Sequence, residues 1–391
     1  MGLWQKSGSS AYMFLKEGIT NDHSKTRRAN RCTRREAQEA PHKTQQEVGR
    51  GFPSHRNSES VPSRLSSVES RTERLAQAVM LRVFEAMIKP VGHLAHRFYF
   101  MVVCCAMSDR NFRDLLEVQW KQGKFLCVGL DSSLKKIPEA AQRGGTRETL
   151  VAFNRAIIDA TRDIVGAYKP NIAFYEAHGD EGWNALRETI QYIHDAAPEV
   201  AVILDAKRAD IGNTNLAYIE SAFDHLRADA ITVNPYPGKE ALLPFLERKD
   251  NGVIVWCRTS NSGAGEFQDL MIGPSTPLGA SKPLYKIVAE HVAQEWNANG
   301  NCGLVVGATY PEELREVRAI VGDMPILIPA IGAQNGDLEK TVQAGKDSRG
   351  KGMIISVSRA VLFASDGPDF AKAAGEKAKE LHQAILRSVA S

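Results

Sequence analysis

From residue 125 onward, short runs of apolar and β-branched residues alternate with longer stretches in which apolar positions recur every three or four residues. The short runs predict strands at 125–131 (FLCVGLD), 167–175 (AYKPNIAFY), 200–208 (VAVILDAKR), 230–236 (AITVNPY), 252–259 (GVIVWCRT), 302–308 (CGLVVGA), 325–332 (PILIPAIG) and 352–359 (GMIISVSR). The stretches between them carry a 3.6-residue period and predict helices over 147–165, 182–197, 213–226, 239–249, 283–299, 311–322 and 337–345, with a last one over 369–390. Near-continuous apolar strands suit parallel strands covered on both faces. Eight such units in about 270 residues match a (β/α)8 TIM barrel in count and size. A doubly wound open sheet is the alternative, but no GxGxxG follows the first strand, which removes its usual dinucleotide-binding form.

The pattern fails before residue 107. Residues 1–75 are rich in Arg, Ser, Gln and Glu, lack apolar periodicity and carry a net charge of +6, against +3 for the whole chain of 391 residues. A segment so poor in apolar surface cannot offset its ordering entropy, so disorder is expected. Its eight acidic residues argue against a transit peptide, and its lack of interleaved aromatics argues against an RNA-binding arm. The basic balance of the chain belongs to this segment, and the rest nets −3. The body therefore has no electrostatic case for nucleic-acid binding. Residues 76–106 suggest an amphipathic helix and a run of about ten apolar residues, half of the roughly 20 a membrane span needs. The expected organisation is a non-functional extension over 1–106 and a barrel domain over 107–391, with no membrane span. Three of the six cysteines (Cys127, Cys257, Cys302) fall in apolar strands and none forms a CxxC pair, which fits a reducing, cytoplasmic setting.

In a barrel of this kind the chemistry sits at the C-terminal ends of the strands. Asp131 ends the first predicted strand, Lys169 lies in the second, and Asp205 and Lys207 end the third, with Asp210 just beyond. Strand alternation puts Asp205 and Lys207 on one face. A self-neutralising salt bridge at the barrel mouth is the bland interpretation, and two carboxylates beside two lysines on neighbouring strands weaken it. A lysine among carboxylates is held as a proton donor, whereas a Schiff-base nucleophile needs a lowered pKa. A second group, Gly332 and Gln334 after the seventh strand and Arg359 after the eighth, occupies the place where such barrels grip phosphate. Ser260, after the fifth strand, is a candidate contact for a planar heterocycle or an ordinary loop serine. His178 is expected to be a loop or capping residue, and no His/Asp/Glu spacing indicates a metal.

Together these residues resemble the orotidine 5′-monophosphate decarboxylase family over about residues 110–385. The family's D-x-K-x-x-D appears as Asp205-Ala-Lys207-Arg-Ala-Asp210, followed by Thr214, with Asp131 in CVGLD, Lys169 in AYKPNIAFYE, Gln334 in GAQNGD and Arg359 matching its other motifs. The stretch LDAKRADIGNTN is similar to the bacterial subgroup with longer loops. The resemblance implies decarboxylation of orotidine monophosphate to uridine monophosphate, the last step of pyrimidine nucleotide synthesis, without metal or cofactor. Lys207 would protonate C6 beside Asp205, with Lys169 and Asp131 at the ribose hydroxyls, Ser260 at the pyrimidine, and Gln334, Gly332 and Arg359 at the phosphate. Asp210 and Thr214 would reach into the neighbouring subunit's site, which implies a homodimer with shared active sites.

Two other functions share parts of this pattern. Magnesium-dependent sugar-phosphate decarboxylases and aldolases of the same superfamily carry D-x-K-x-x-D, but with a glutamate ligand where this chain has Lys169. A barrel that binds a phosphate ligand without catalysis would not need the intact array of lysines and aspartates. The Gly-rich stretch 260–274 is where a mobile loop is expected.

Overall fold

Eight parallel strands close into a barrel in the order β1, β2, β3, β4, β5, β8, β9, β10 and back to β1. They are β1 Leu126–Leu130, β2 Ala167–Pro170, β3 Ala201–Arg208, β4 Ala230–Val233, β5 Gly252–Arg258, β8 Cys302–Val306, β9 Ile326–Ile328 and β10 Met353–Val357; the short pair β6 Met271–Ile272 and β7 Lys282–Pro283 forms an antiparallel hairpin apart from the barrel. The computed structural model describes residues 110–273, 281–329 and 337–391. The sequence expectations for 1–106, for Gly332 and Gln334, and for residue 274 thus fall outside the described residues.

The strands form where expected because each is an apolar run that burial rewards from both sides. All residues of β1, β2, β4, β8, β9 and β10 are buried, inside the barrel or beneath its helices. The α-helices of eight or more residues are α1 Phe112–Lys121, α2 Thr146–Thr161, α3 Gly179–Ala196, α4 Gly212–Ile219, α5 Lys239–Leu246, α6 Leu284–His291, α7 Pro311–Val321, α8 Leu338–Gly345 and α9 Phe370–Ala390. In α2 six of the eight buried residues, Leu150, Phe153, Asn154, Ile157, Ile158 and Thr161, follow the three-and-four spacing of one face, and Thr149 and Val151 flank it. Asn111 caps α1 by accepting from the Asp114 N–H, Asp337 caps α8 through the Lys340 N–H, and Pro311 sits at the first position of α7, where its missing N–H costs nothing.

Helix α1 packs against the N-terminal ends of the strands. The Phe112 N–H donates to the Asp250 carbonyl, and the Trp120 indole donates to the Met353 carbonyl at the start of β10. Arg110 pairs with Asp229, beside β4, and donates to the Val200 carbonyl. That end of the barrel is closed, and the other carries the charged strand exits.

Several elements depart from the sequence pattern, β2 and two helices most of all. β2 stops at Pro170 rather than 175, because Asn171 turns the chain into a helical turn over Ala173–Glu176. The predicted helices over 213–226 and 283–299 continue past α4 and α6 as π-helical turns, Glu220–His225 and Val292–Trp296. Cys127, Cys257 and Cys302 are buried free thiols. Among the described residues no helix is long and apolar enough to cross a membrane.

Candidate active site at the C-terminal mouth of the barrel

Four of the charged residues singled out from the sequence meet at the open end of the barrel. Lys169 Nζ lies 3.1 Å from Asp205 Oδ2 and 3.8 Å from Asp131 Oδ1, and Lys207 Nζ lies 2.5 Å from Asp205 Oδ1. Opposite charges therefore alternate, Asp131, Lys169, Asp205, Lys207, across three adjacent strands. Lys169 is nearly enclosed, with a side chain 6% exposed, whereas that of Lys207 is 36% exposed at the mouth. One lysine is built into the wall and the other faces what enters.

Burial works against charge at both wall residues, and the partners overcome it. Burial alone would raise the Asp205 carboxyl, but the ammonium groups of Lys169 and Lys207 lower it to about 2. Burial would likewise lower Lys169, but Asp205 and Asp131 outweigh it and hold its ammonium above the ordinary lysine range. Asp131 Oδ1 is buried with no hydrogen-bond partner. A carboxylate oxygen that pairs with an ammonium at 3.8 Å but accepts no hydrogen bond is a ready acceptor for a ligand hydroxyl.

The local backbone explains how β3 brings two side chains to one point. Leu204 pairs with Ile231 and Arg208 with Val233, so Asp205, Ala206 and Lys207 all lie opposite the single residue Thr232. The simple alternation expected of these residues thus gives way to a bulge. Lys207 sits in the left-handed region at φ 52°, and it reaches Asp205 from this kink rather than along a regular pleat. Its ammonium also lies 5.4 Å from the centroid of the Trp256 ring on β5, within cation–π range. Neither Thr232 nor Trp256 stands out in the sequence, since both are ordinary residues for an apolar strand.

The remaining candidates surround this array at different distances. Ser260 lies just past β5, half-buried, against Gly307 at the exit of β8. The next segment is tied down: Gln268 Oε1 accepts from the Thr259 N–H at 2.9 Å, and Arg258 donates to Asp269 at 3.2 Å. Arg359 follows β10, exposed and, among the described residues, without an ion-pair partner. Gly129 in β1 lets that connection pass close by, since a Cβ there would fall 2.0 Å from Ser358 Oγ. Asp210 and Thr214 are not part of the cluster. Asp210 is exposed beyond β3 and enters no ion pair among the described residues, while Asn215 holds its backbone through bonds at 2.7 and 2.9 Å. His178 takes the N-cap position of α3. Among the described residues no group of three or more His, Cys, Asp or Glu is placed to hold a metal.

A buried lysine–aspartate chain ending in a solvent-facing ammonium suits proton delivery to a substrate that also fills the barrel mouth. The comparisons with known proteins point the same way. The family model described as "Orotidine 5'-phosphate decarboxylase / HUMPS family" matches residues 124–374. Orotidine 5'-phosphate decarboxylases of Cellvibrio japonicus and Cupriavidus metallidurans are each 47% identical, covering 70% and 71% of this chain and 98% of each relative. Leishmania donovani OMP decarboxylase, a solved structure, is 40% identical with a TM-score of 0.58, over 70% of this chain and 99% of that one. Leishmania donovani UMP synthase is similar at 41% identity and a TM-score of 0.60, and the match covers 57% of its length.

Proposed function

This chain belongs to the orotidine 5'-phosphate decarboxylase / HUMPS family, and from that premise we propose that it converts orotidine 5′-phosphate to UMP and carbon dioxide, with Lys207 as the proton donor. The observation that carries the reading is the Lys207 ammonium, 2.5 Å from an Asp205 carboxylate whose other oxygen is held by Lys169. The C6–carboxylate bond breaks, carbon dioxide leaves, and the electron pair left on C6 takes a proton from Lys207 Nζ. Asp131 Oδ1, which accepts no hydrogen bond, and the Lys169 ammonium receive the ribose hydroxyls, Ser260 meets the pyrimidine, and Arg359, with Gln334 and Gly332, binds the phosphate. The catalytic domain in this reading is 107–391, working in the cytoplasm.

Magnitudes divide the work. Asp205 beside the substrate carboxylate brings like charges together, and at about 4 Å with an effective dielectric near 20 they repel by about 4 kcal/mol. Enzymes lower barriers by about 8–23 kcal/mol. Repulsion alone therefore falls short, and Lys207 must supply a large share by stabilising the developing negative charge at C6. Contacts to the remote phosphate hold the strained complex together.

The superfamily's magnesium chemistry needs a metal ligand where Lys169 lies. The ammonium already balances Asp131 and Asp205 and would repel a divalent cation there. Two copies of the chain are expected to share their sites. Ile211 (65%), the N-cap residue of α4 next to Asp210, Leu216 (59%) on α4 and Leu243 on α5 are exposed, apolar residues that a second subunit would cover.

The test is the loss of orotidine 5′-phosphate absorbance, without added metal and with a chelator, for the wild type and Lys207→Ala. Turnover by the wild type that a chelator leaves unchanged, and that falls by at least about 1000-fold in the variant, is the expected result. Decarboxylation surviving in Lys207→Ala would overturn the assignment of the proton donor, and inactivation by the chelator would overturn the metal-free mechanism.

A further inference from the structure

We propose that Thr232 is a positioning residue of this site, its hydroxyl fixing the backbone of Lys207 and the carboxylate of Asp205 at once. The inference rests on the decarboxylase reading above and extends it to a residue that touches neither substrate nor phosphate.

Lys207 is one of two described non-glycine residues with positive φ, the other being Arg227. L-residues with a long side chain rarely adopt this conformation, and it persists only where the surroundings over-determine it. The backbone bridge just beyond β2 holds Asp205, whose carbonyl accepts from the Ile172 N–H at 3.3 Å, rather than Lys207, and on the other side three residues of β3 face one residue of β4. That one residue makes up the deficit. Thr232 Oγ1 accepts from the Ala206 N–H at 3.0 Å and from the Lys207 N–H at 2.9 Å, so both lone pairs of the hydroxyl are used. Its single proton then has one place to go, Asp205 Oδ1 at 3.0 Å. This is the same oxygen that Lys207 Nζ meets at 2.5 Å.

The hydroxyl is therefore saturated, with two bonds inward to the kink and one outward to the carboxylate. Thr232 is 1% exposed, so water does not replace it, and its β-branched side chain has little rotamer freedom in a strand. The alternating charges explain why Asp205 and Lys207 attract each other, but not the kink from which the lysine approaches. The hydroxyl of Thr232 supplies that geometry.

The experiment compares wild type, Thr232→Val and Thr232→Ser for kcat and KM on orotidine 5′-phosphate, with thermal unfolding recorded for each. Valine keeps the shape and removes the bonds, whereas serine keeps the hydroxyl. The expected result is a kcat lowered about 30-fold in Thr232→Val with KM changed by less than about threefold, and a Thr232→Ser enzyme within about threefold of wild type. A loss of structure alone would not divide kcat from KM or be rescued by serine. Should the valine protein not fold, Thr232→Ala gives the same contrast with serine. An active wild type beside an equally active Thr232→Val, or a serine variant as impaired as the hydroxyl-free one, overturns the inference. A wild type that does not decarboxylate orotidine 5′-phosphate overturns the functional reading itself.

Discussion

Lys169 and Asp205 are bound 3.1 Å apart from neighbouring strands β2 and β3, with side chains 6% and 13% exposed. This pair fixes the charge state of the site, and the consequences for pH follow from the directions of the two shifts. Asp205 is lowered to about 2 in the folded protein, below its unfolded value of about 3.9. Its contribution to stability is therefore present above about pH 4 and is lost as pH falls toward 2. Lys169 is raised, so its contribution is present below its unfolded value of about 10.4 and is lost only in stronger alkali. Between those limits the pair does not titrate. Asp205→Asn is expected to cost about 1–3 kcal/mol of stability at pH 7, by leaving a buried ammonium short of one partner. The gap in Tm between variant and wild type should stay constant from pH 5 to 9 and narrow below pH 4. A gap of the same size at pH 3 would show that Asp205 is not stabilised by these ammonium groups.

The barrel and most of this charged array are legible from sequence because both rest on short-range signals. Each strand is a run such as LCVGL or CGLVV, buried on both sides, and each helix keeps one apolar face. Asp131, Lys169, Asp205 and Lys207 announce themselves as charges at the ends of such runs. The bulge at 205–207 does not, because its two extra residues opposite Thr232 amount to one whole repeat of a two-residue period and leave its phase unchanged. Thr232 is hidden for a related reason: in AITVNPY a threonine looks like one more β-branched strand former. Its role appears only when β3 is laid beside β4. The β6–β7 hairpin, two residues on each side, is too short for any periodicity to reveal.

Gly307 at the exit of β8 is needed for the placement of Ser260. A Cβ on Gly307 would lie 2.9 Å from both the nitrogen and Cβ of Ser260 and 3.1 Å from its Cα. These are atoms of backbone and side-chain root, with no flexible end to swing aside. The Gly307 N–H also donates to the Arg258 carbonyl at 2.8 Å, which ties the two strand exits together. Gly307→Ala therefore displaces the Ser260 segment, and overpacking of this kind costs about 1–3 kcal/mol. The expected outcome is a kcat/KM at least about tenfold lower, mostly through KM, with Lys207 and Asp205 untouched. Wild-type KM and kcat in Gly307→Ala would show that Ser260 does not contact the substrate.

Arg359 offers a test of how binding energy is used. In the proposed complex its guanidinium grips the phosphate, far from C6, through charge-assisted bonds worth about 1.5–3 kcal/mol each. If that energy holds the substrate carboxylate against Asp205, its loss lowers the rate as well as the affinity. Arg359→Ala should then reduce kcat/KM for orotidine 5′-phosphate by about 100-fold or more, and leave the slow reaction of the phosphate-free nucleoside nearly unchanged. Equal losses on both substrates would sink this assignment.

Asp210 gives the sharpest test of shared sites, because it is exposed outside the charged cluster of its own chain. Its backbone is fixed by Asn215, whose side-chain amide also donates to the Ala241 carbonyl of α5 at 2.5 Å. The carboxylate thus stands on a braced corner beside exposed Ile211 and Leu216. If it completes the partner's site, Lys207→Ala and Asp210→Ala each inactivate every site in their own dimers. A mixed dimer contains one site with both defects and one with neither. Random exchange between equal amounts of the two inactive proteins makes half of the dimers mixed, so about a quarter of wild-type activity should return. Mixed dimers verified by mass that remain inactive would place Asp210 outside the partner's site and remove the case for sharing.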